Sequence, residues 1–106
     1  MVRENEKAAL LELKEIVQSQ CSVIDFRVYG SKVRGTDTPE SDVDVMIEVD
    51  ECDPEVESFI TNAAYEVNLE HDCFISVVLF SREEIEHGPL AESPLYKMIE
   101  KEGVKM

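Results

Sequence analysis

The sequence predicts an α/β (α+β) fold: a small mixed β-sheet with helices packed on one face. Three observations point there. Two long segments carry apolar residues at helical spacing, and three shorter ones alternate apolar and polar residues with the period of a strand. The chain has 106 residues, 43% hydrophobic and 32% charged. That is enough for one buried core, too charged for a membrane protein and too apolar for a disordered tail. One domain over 1–106 is expected.

Each element follows in turn. Residues 4–19 place Ala9, Leu10, Leu13, Ile16 and Val17 on one stripe, the pattern of a helix covering one side of a sheet. Residues 22–29 alternate Ile24, Phe26 and Val28 against Asp25, Arg27 and Tyr29, a half-buried strand that Gly30 ends. Residues 41–49 repeat the pattern. Val43, Val45, Ile47 and Val49 form one face, and Asp42, Asp44, Met46 and Glu48 the other. A turn over 50–54 leads to a helix start at Asp53-Pro54. Val56, Phe59, Ile60, Ala63, Ala64 and Val67 mark the helix that follows, to about residue 69. Residues 73–80 read as a third strand, with Ile75, Val77 and Leu79 inward and Phe74, Ser76, Val78 and Phe80 outward. Ser81-Arg82-Glu83-Glu84 is a capped helix start, broken by Gly88-Pro89. Residues 94–101 form a last helix, which Gly103 ends. The sheet face carrying Asp42 and Asp44 is expected to stay open.

Asp+Glu total 24 against Lys+Arg 10, a formal net charge of -14. Such a field repels phosphate backbones and excludes loose nucleic-acid binding. A basic protein partner is attracted. A small anion needs local help from a metal ion or oriented N–H groups. Cys21, Cys52 and Cys73 are widely spaced, with no C-x-x-C and no zinc spacing, and read as reduced thiols of a cytoplasmic protein. No apolar run approaches a membrane span, and residues 1–7 lack the pattern of a signal peptide.

The informative stretch is Gly30-Ser31-Lys32-Val33-Arg34-Gly35 followed by Ser41-Asp42-Val43-Asp44-Val45. A glycine after a strand allows a sharp bend that aims N–H groups and the Ser31 hydroxyl at a phosphate. Asp42 and Asp44 stand two apart on a strand and share a face, roughly 6.5–7 Å apart along the backbone. Carboxylates so placed hold Mg²⁺ with water and phosphate oxygens filling the other positions. Chance alone supplies about half an Asp-x-Asp pair in a chain of this composition, so the pair by itself carries little. Its conjunction with the preceding strand, Gly-Ser bend and Arg-Gly is what points to phosphoryl or nucleotidyl transfer.

These residues resemble the signature of the minimal nucleotidyltransferases (MNT), small members of the DNA polymerase β-like superfamily. The resemblance is strong over 24–49. It extends more weakly through Ile75-Ser76-Val77-Val78, Ser81-Arg82-Glu83-Glu84 and Glu102-Gly103-Val104. It implies a nucleotidyltransferase-like fold with Asp42 and Asp44 as catalytic, metal-binding carboxylates. Gly30 and Ser31 would contact the triphosphate, Arg34 and Gly35 would shape the loop with Arg34 near phosphate, and Ser41 would brace the aspartate strand. The implied reaction is attack of an acceptor hydroxyl on the α-phosphate of a nucleoside triphosphate such as ATP, with Mg²⁺. Active members of the family have a third carboxylate on a later strand. Here that position falls at or near Ser76, with Asp72 and Glu48 as the nearby substitutes; Val33 replaces a commonly small residue.

Stand-alone proteins of this kind resemble the MNT half of HEPN–MNT toxin–antitoxin pairs. The resemblance implies an antitoxin that transfers AMP from ATP to a hydroxyl of a helical HEPN partner. The alternative is a non-catalytic nucleotide-binding antitoxin that acts by contact. Three further groups carry expectations. Arg27, Lys32 and Arg34 form a positive cluster near the bend that attracts triphosphate or merely solvates the surface. Phe74, Val78 and Phe80 form either an association surface or the floor for the chain's own C-terminal helices. His71-Asp72 matches a phosphohydrolase dipeptide but lacks the other ligands such a site needs.

Overall fold

A computed structural model describes residues 2–38 and 40–106. In chain order it contains α1 (Glu4–Gln20), β1 (Val23–Tyr29), α2 (Ser31–Arg34), β2 (Val43–Val49), α3 (Pro54–His71), β3 (Ile75–Ser81) and α4 (Arg82–His87). A 3₁₀ turn (Pro89–Glu92), α5 (Pro94–Glu102) and β4 (Val104–Lys105) complete it. The four strands form one mixed sheet in the order β3-β2-β1-β4. β1 runs antiparallel to β2 and β4, and β2 runs parallel to β3. The parallel pair requires a crossover, and α3 supplies it.

The main core lies between the sheet and the α1/α3 layer. Ala9, Leu10, Leu13 and Val17 of α1 and Ile60, Ala63, Ala64 and Val67 of α3 meet Phe26, Val28, Val43, Val45, Ile47, Val49 and Ile75. Both helices start on local chemistry. Glu6 Oε1 accepts from the Arg3 N–H at 2.8 Å, and Asp53 Oδ1 accepts from the Val56 N–H at 2.9 Å with Pro54 in the first turn. Asp72 ends α3 in the left-handed region at φ 52°.

Two expectations change. Ile24 is 37% exposed rather than in the core, because the pairing slips between Val23↔Val49 and Asp25↔Glu48. That bulge gives β1 one extra residue and turns Ile24 away. The second sheet face is also not wholly open. Tyr29, Met46, Phe80 and Ile99 form a buried cluster there, joined by Val78, Ile85, Leu90, Tyr96 and Met98. Phe80 and Tyr96 meet edge to face, with ring centroids 5.7 Å apart. The physical reason is the apolar content of that face, which needs cover. The C-terminal helices therefore cover Val78 and Phe80, and through Tyr29 the cluster reaches the strand position opposite Asp44. Among the described residues no helix is long and apolar enough to cross a membrane.

Candidate functional site

The antiparallel connection from β1 to β2 returns the chain beside the point where it left. Tyr29 therefore pairs with Asp44, and Gly30 lies next to the acid strand. Gly30 adopts φ 84°, ψ -155°, a combination closed to other residues. A Cβ on Gly30 would stand 2.5 Å from Asp44 Oδ2, so only glycine lets the bend and the carboxylate meet. The Gly30 carbonyl accepts from the N–H groups of Val33 and Arg34, both at 3.1 Å, and so starts the single turn of α2. The amides of Ser31 and Lys32 precede those two and have no acceptor within the helix. Gly35 closes the turn at φ 76°, where its N–H donates to the Ser31 carbonyl at 2.9 Å.

Asp42 is exposed just before β2, and Asp44 is half-buried in it. Burial, then the charge of Asp42, holds the Asp44 carboxyl above its ordinary range, while Arg34 acts in the opposite sense. The buried Tyr29 phenol is pushed up by its own burial and then by Asp44. The two acids thus act on one another, with Gly30, Ser31 and Arg34 at the same corner. Two carboxylates held together without a cation repel. A divalent ion relieves that repulsion, so the donor set fits a hard metal with oxygen ligands. Ser41 lies just outside. Its hydroxyl accepts from the Thr38 N–H at 2.8 Å, and its own N–H donates to the Thr38 carbonyl at 3.0 Å. Those bonds brace the loop that delivers Asp42. Next along, the Val43 N–H donates to the Phe74 carbonyl at 2.8 Å, fixing β2 to the approach of β3.

The strand position at which the resemblance implies a third carboxylate carries a serine. Ser76 is the direct partner of Asp44 in the parallel register. Asp72 is the end cap of α3, not part of the strand, and its carbonyl accepts from Asn5 Nδ2 of α1 at 3.3 Å. Glu48 shares the face of Asp44 but sits four residues on, roughly 13 Å along the strand. There burial and its neighbour Asp25 raise its pKa.

The positive cluster does not persist as one. Arg27 Nε lies 2.7 Å from Asp25 Oδ2, and Arg34 Nη1 lies 3.2 Å from Glu102 Oε2. Lys32 is only 3% exposed and turns toward Glu6 of α1. Spacing on a four-residue helix does not reveal which way its side chains point. Of the three outward apolar residues of the third strand, Phe74 alone stays exposed, at 73%. With Tyr65, Asn68, Leu69, Asp72 and Cys73 it lines a groove of about 210 Å³. A larger cavity of about 520 Å³ lies at the opposite ends of β2 and β3, among Glu51, Asp53, Glu83 and Glu84, whose charges oppose a phosphate.

One grouping escaped the sequence. Glu12, Glu70 and His71 bring ligand atoms within 4.8 Å of one another. They sit on the α1/α3 layer, across the sheet from Asp44, and supply no third acid to that corner. His71 Nε2 lies 2.5 Å from Glu12 Oε2, so the histidine of the His71-Asp72 dipeptide ties the two helices together.

The nucleotidyltransferase domain family matches residues 10–104. The chain belongs to that family. Its general function is therefore nucleotidyl transfer, a chemistry that generally uses a nucleoside triphosphate and a divalent metal. A solved structure from Sulfolobus solfataricus, provisionally named a nucleotidyltransferase, is similar at a TM-score of 0.46 and 14% identity, over 97% of this chain and 86% of that one. No protein of curated function matches.

Proposed function

We propose that this nucleotidyltransferase transfers AMP from ATP, with Mg²⁺, to a hydroxyl of a protein partner. The observation that carries the reading is the contact between bend and acid. Gly30 leaves no room for a side chain against Asp44 Oδ2, so phosphate-binding backbone and metal-binding carboxylates share one corner. Asp42 and Asp44 would hold the metal, which when bound neutralises phosphate charge and favours ionisation of the attacking hydroxyl. The Gly30–Ser31 backbone and the Ser31 hydroxyl bind phosphate oxygens, and Arg34, half-exposed beside Asp44, supplies positive charge there. Ser41 and Gly35 hold the loop ends. The acceptor oxygen forms its bond to the α-phosphorus as the bond to the bridging oxygen breaks and pyrophosphate leaves.

Two features support a protein acceptor. The net charge of -14 opposes RNA and favours a basic partner surface. The exposed Tyr65, Leu69 and Phe74 offer an apolar contact at the start of β3, the strand paired with the one that carries Asp44. Resemblance to the minimal nucleotidyltransferases makes a helical HEPN toxin the partner of choice and antitoxin the role, in the cytoplasm. Ser76 beside Asp44 favours a second reading, an antitoxin that binds nucleotide and neutralises its partner by contact alone.

The experiment is incubation with labelled ATP, Mg²⁺ and the product of the neighbouring gene. Label on the partner that vanishes in Asp44→Asn supports transfer. A stable complex without label selects the contact reading. Absence of any Mg-ATP binding to the wild-type chain refutes the site itself.

A further inference from the structure

Lys32 presents an anomaly. It lies in the phosphate-binding stretch of a chain that would repel triphosphate, yet its side chain does not face the acid corner. It is 3% exposed, with Nζ 3.2 Å from Glu6 Oε1 and 3.6 Å from Asp37 Oδ2. Neither contact has hydrogen-bond geometry, so both are ion-pair contacts. Glu6 is itself 5% exposed, and the same oxygen accepts the Arg3 N–H that starts α1. The charges that act on Asp44 are those of Asp42 and Arg34.

Buried charge is retained only where it is paired, and removal of one partner strands the other. Here the pairing joins three pieces of chain on one ammonium: α1 through Glu6, α2 through Lys32, and the loop toward β2 through Asp37. α2 has four residues and no stability of its own. It also carries the first amides of the bend, and the loop beyond it carries Ser41 and Asp42. Both need an anchor outside themselves.

We infer that Lys32 is a positioning residue, whose ammonium between Glu6 and Asp37 pins the Gly30–Ser31 bend and the loop into Asp42 to the first helix. It acts through the backbone and makes no contact with the nucleotide. The inference rests on the Mg-triphosphate reading of that corner.

Two variants test it, Glu6→Gln and Lys32→Met/Glu6→Gln. Circular dichroism checks the fold, calorimetry reads Mg-ATP affinity, and amide exchange reads residues 31–38 without nucleotide. Both variants are expected to weaken Mg-ATP by at least about tenfold and to speed exchange over 31–38 by at least about tenfold. Exchange in β2 and α3 stays as in wild type. The Glu6→Gln result is decisive, because Glu6 belongs to α1 and not to the bend, and its carboxylate would not itself bind phosphate. If affinity falls only when Lys32 is replaced, Lys32 is a phosphate ligand and the positioning role is overturned. Unchanged affinity and exchange in both variants overturn it too. Should the double variant fail to fold, Glu6→Gln alone decides. Should wild type bind no Mg-ATP, the site reading fails, and the exchange rates still decide whether Lys32 pins the loop.

Discussion

Replacing Gly30 by alanine tests the geometry on which the site stands. Two costs follow from the structure. The backbone at φ 84°, ψ -155° lies where side chains are rarely tolerated, a strain of about 1–3 kcal/mol. At about 4–8 °C per kcal/mol for a domain of this size, a mid-range value of about 2 kcal/mol lowers the melting temperature by about 8–16 °C. The second cost is functional. The new methyl would stand 2.5 Å from Asp44 Oδ2. That oxygen ends a rotatable side chain, so it gives way by about 1 Å rather than breaking the fold. A displacement of that size in a reacting group costs on the order of 10²-fold in rate. Gly35→Ala is the control. Its φ is also positive, at 76°, but no atom lies within 4 Å of the added carbon. It should lose about 1 kcal/mol and keep its affinity for Mg-ATP. Thermal melts and calorimetry on both proteins decide the matter. If Gly30→Ala melts and binds no worse than Gly35→Ala, the contact between bend and acid has no functional meaning.

Four other outcomes are expected. The Asp44 carboxyl is held above its ordinary value, so the folded state holds that proton more tightly than the unfolded chain, and this group's contribution to stability falls as pH rises through its folded pKa. Asp44→Asn should therefore melt higher than wild type at neutral pH, match it near about pH 3 where both are uncharged, and lose protection by Mg-ATP; a lower melt at neutral pH contradicts the assignment. Ser76→Asp places a third carboxylate about 4.8 Å across the sheet from Asp44. It should lower the metal-free melting temperature and raise label transfer at least about tenfold, and no gain would mean that Ser76 is not the vacant base position. ATP without Mg²⁺ should bind at least about tenfold more weakly than Mg-ATP, a difference that EDTA in the calorimeter cell exposes. Ile99→Ala should cost about 2–5 kcal/mol in urea unfolding, since Ile99 is fully buried against Tyr29, Met46 and Phe80; a loss under about 1 kcal/mol would mean that α5 is not a structural layer.

What the sequence disclosed follows from which interactions are local. The alternation of Val43, Val45, Ile47 and Val49 needs nothing beyond the strand itself, and it held. Gly30 and Asp44 were predictable neighbours in function, and the antiparallel pairing makes them neighbours in space. The shared parity of Asp44 and Ser76 is also legible strand by strand, and the parallel register pairs the two residues directly. Other features depend on partners far along the chain. The bulge that exposes Ile24 belongs to the pairing with β2, not to β1. The helical spacing of residues 94–101 leaves open which surface Ile99 meets. β4 is two residues long and carries no period to detect. Lys32, Arg27 and Arg34 read alike as basic residues near a bend; Arg27 pairs locally with Asp25 on its own strand, and only tertiary contacts assign Lys32 to Glu6 and Arg34 to Glu102.

That distribution of cations bears on how an acidic protein can hold a triphosphate. Arg27 and Lys32 are held by internal carboxylates, and Arg34 is shared between Glu102 and the field of Asp44. Little positive side-chain charge is left at that corner, so in the proposed function attraction for the phosphates would come from oriented amides and from the metal. On the proposed reading, the acids that repel ATP in the metal-free protein would also recruit the ion needed to bind it, which would couple nucleotide affinity to the ionisation of Asp44. The same logic separates the two readings of function. The proposed binding would need only two carboxylates and a cradle, and Asp42, Asp44 and the Gly30 bend stand at one corner. Turnover also needs somewhere for the acceptor's proton to go, and with Ser76 beside Asp44 that group must come from the acceptor, from solvent, or not at all.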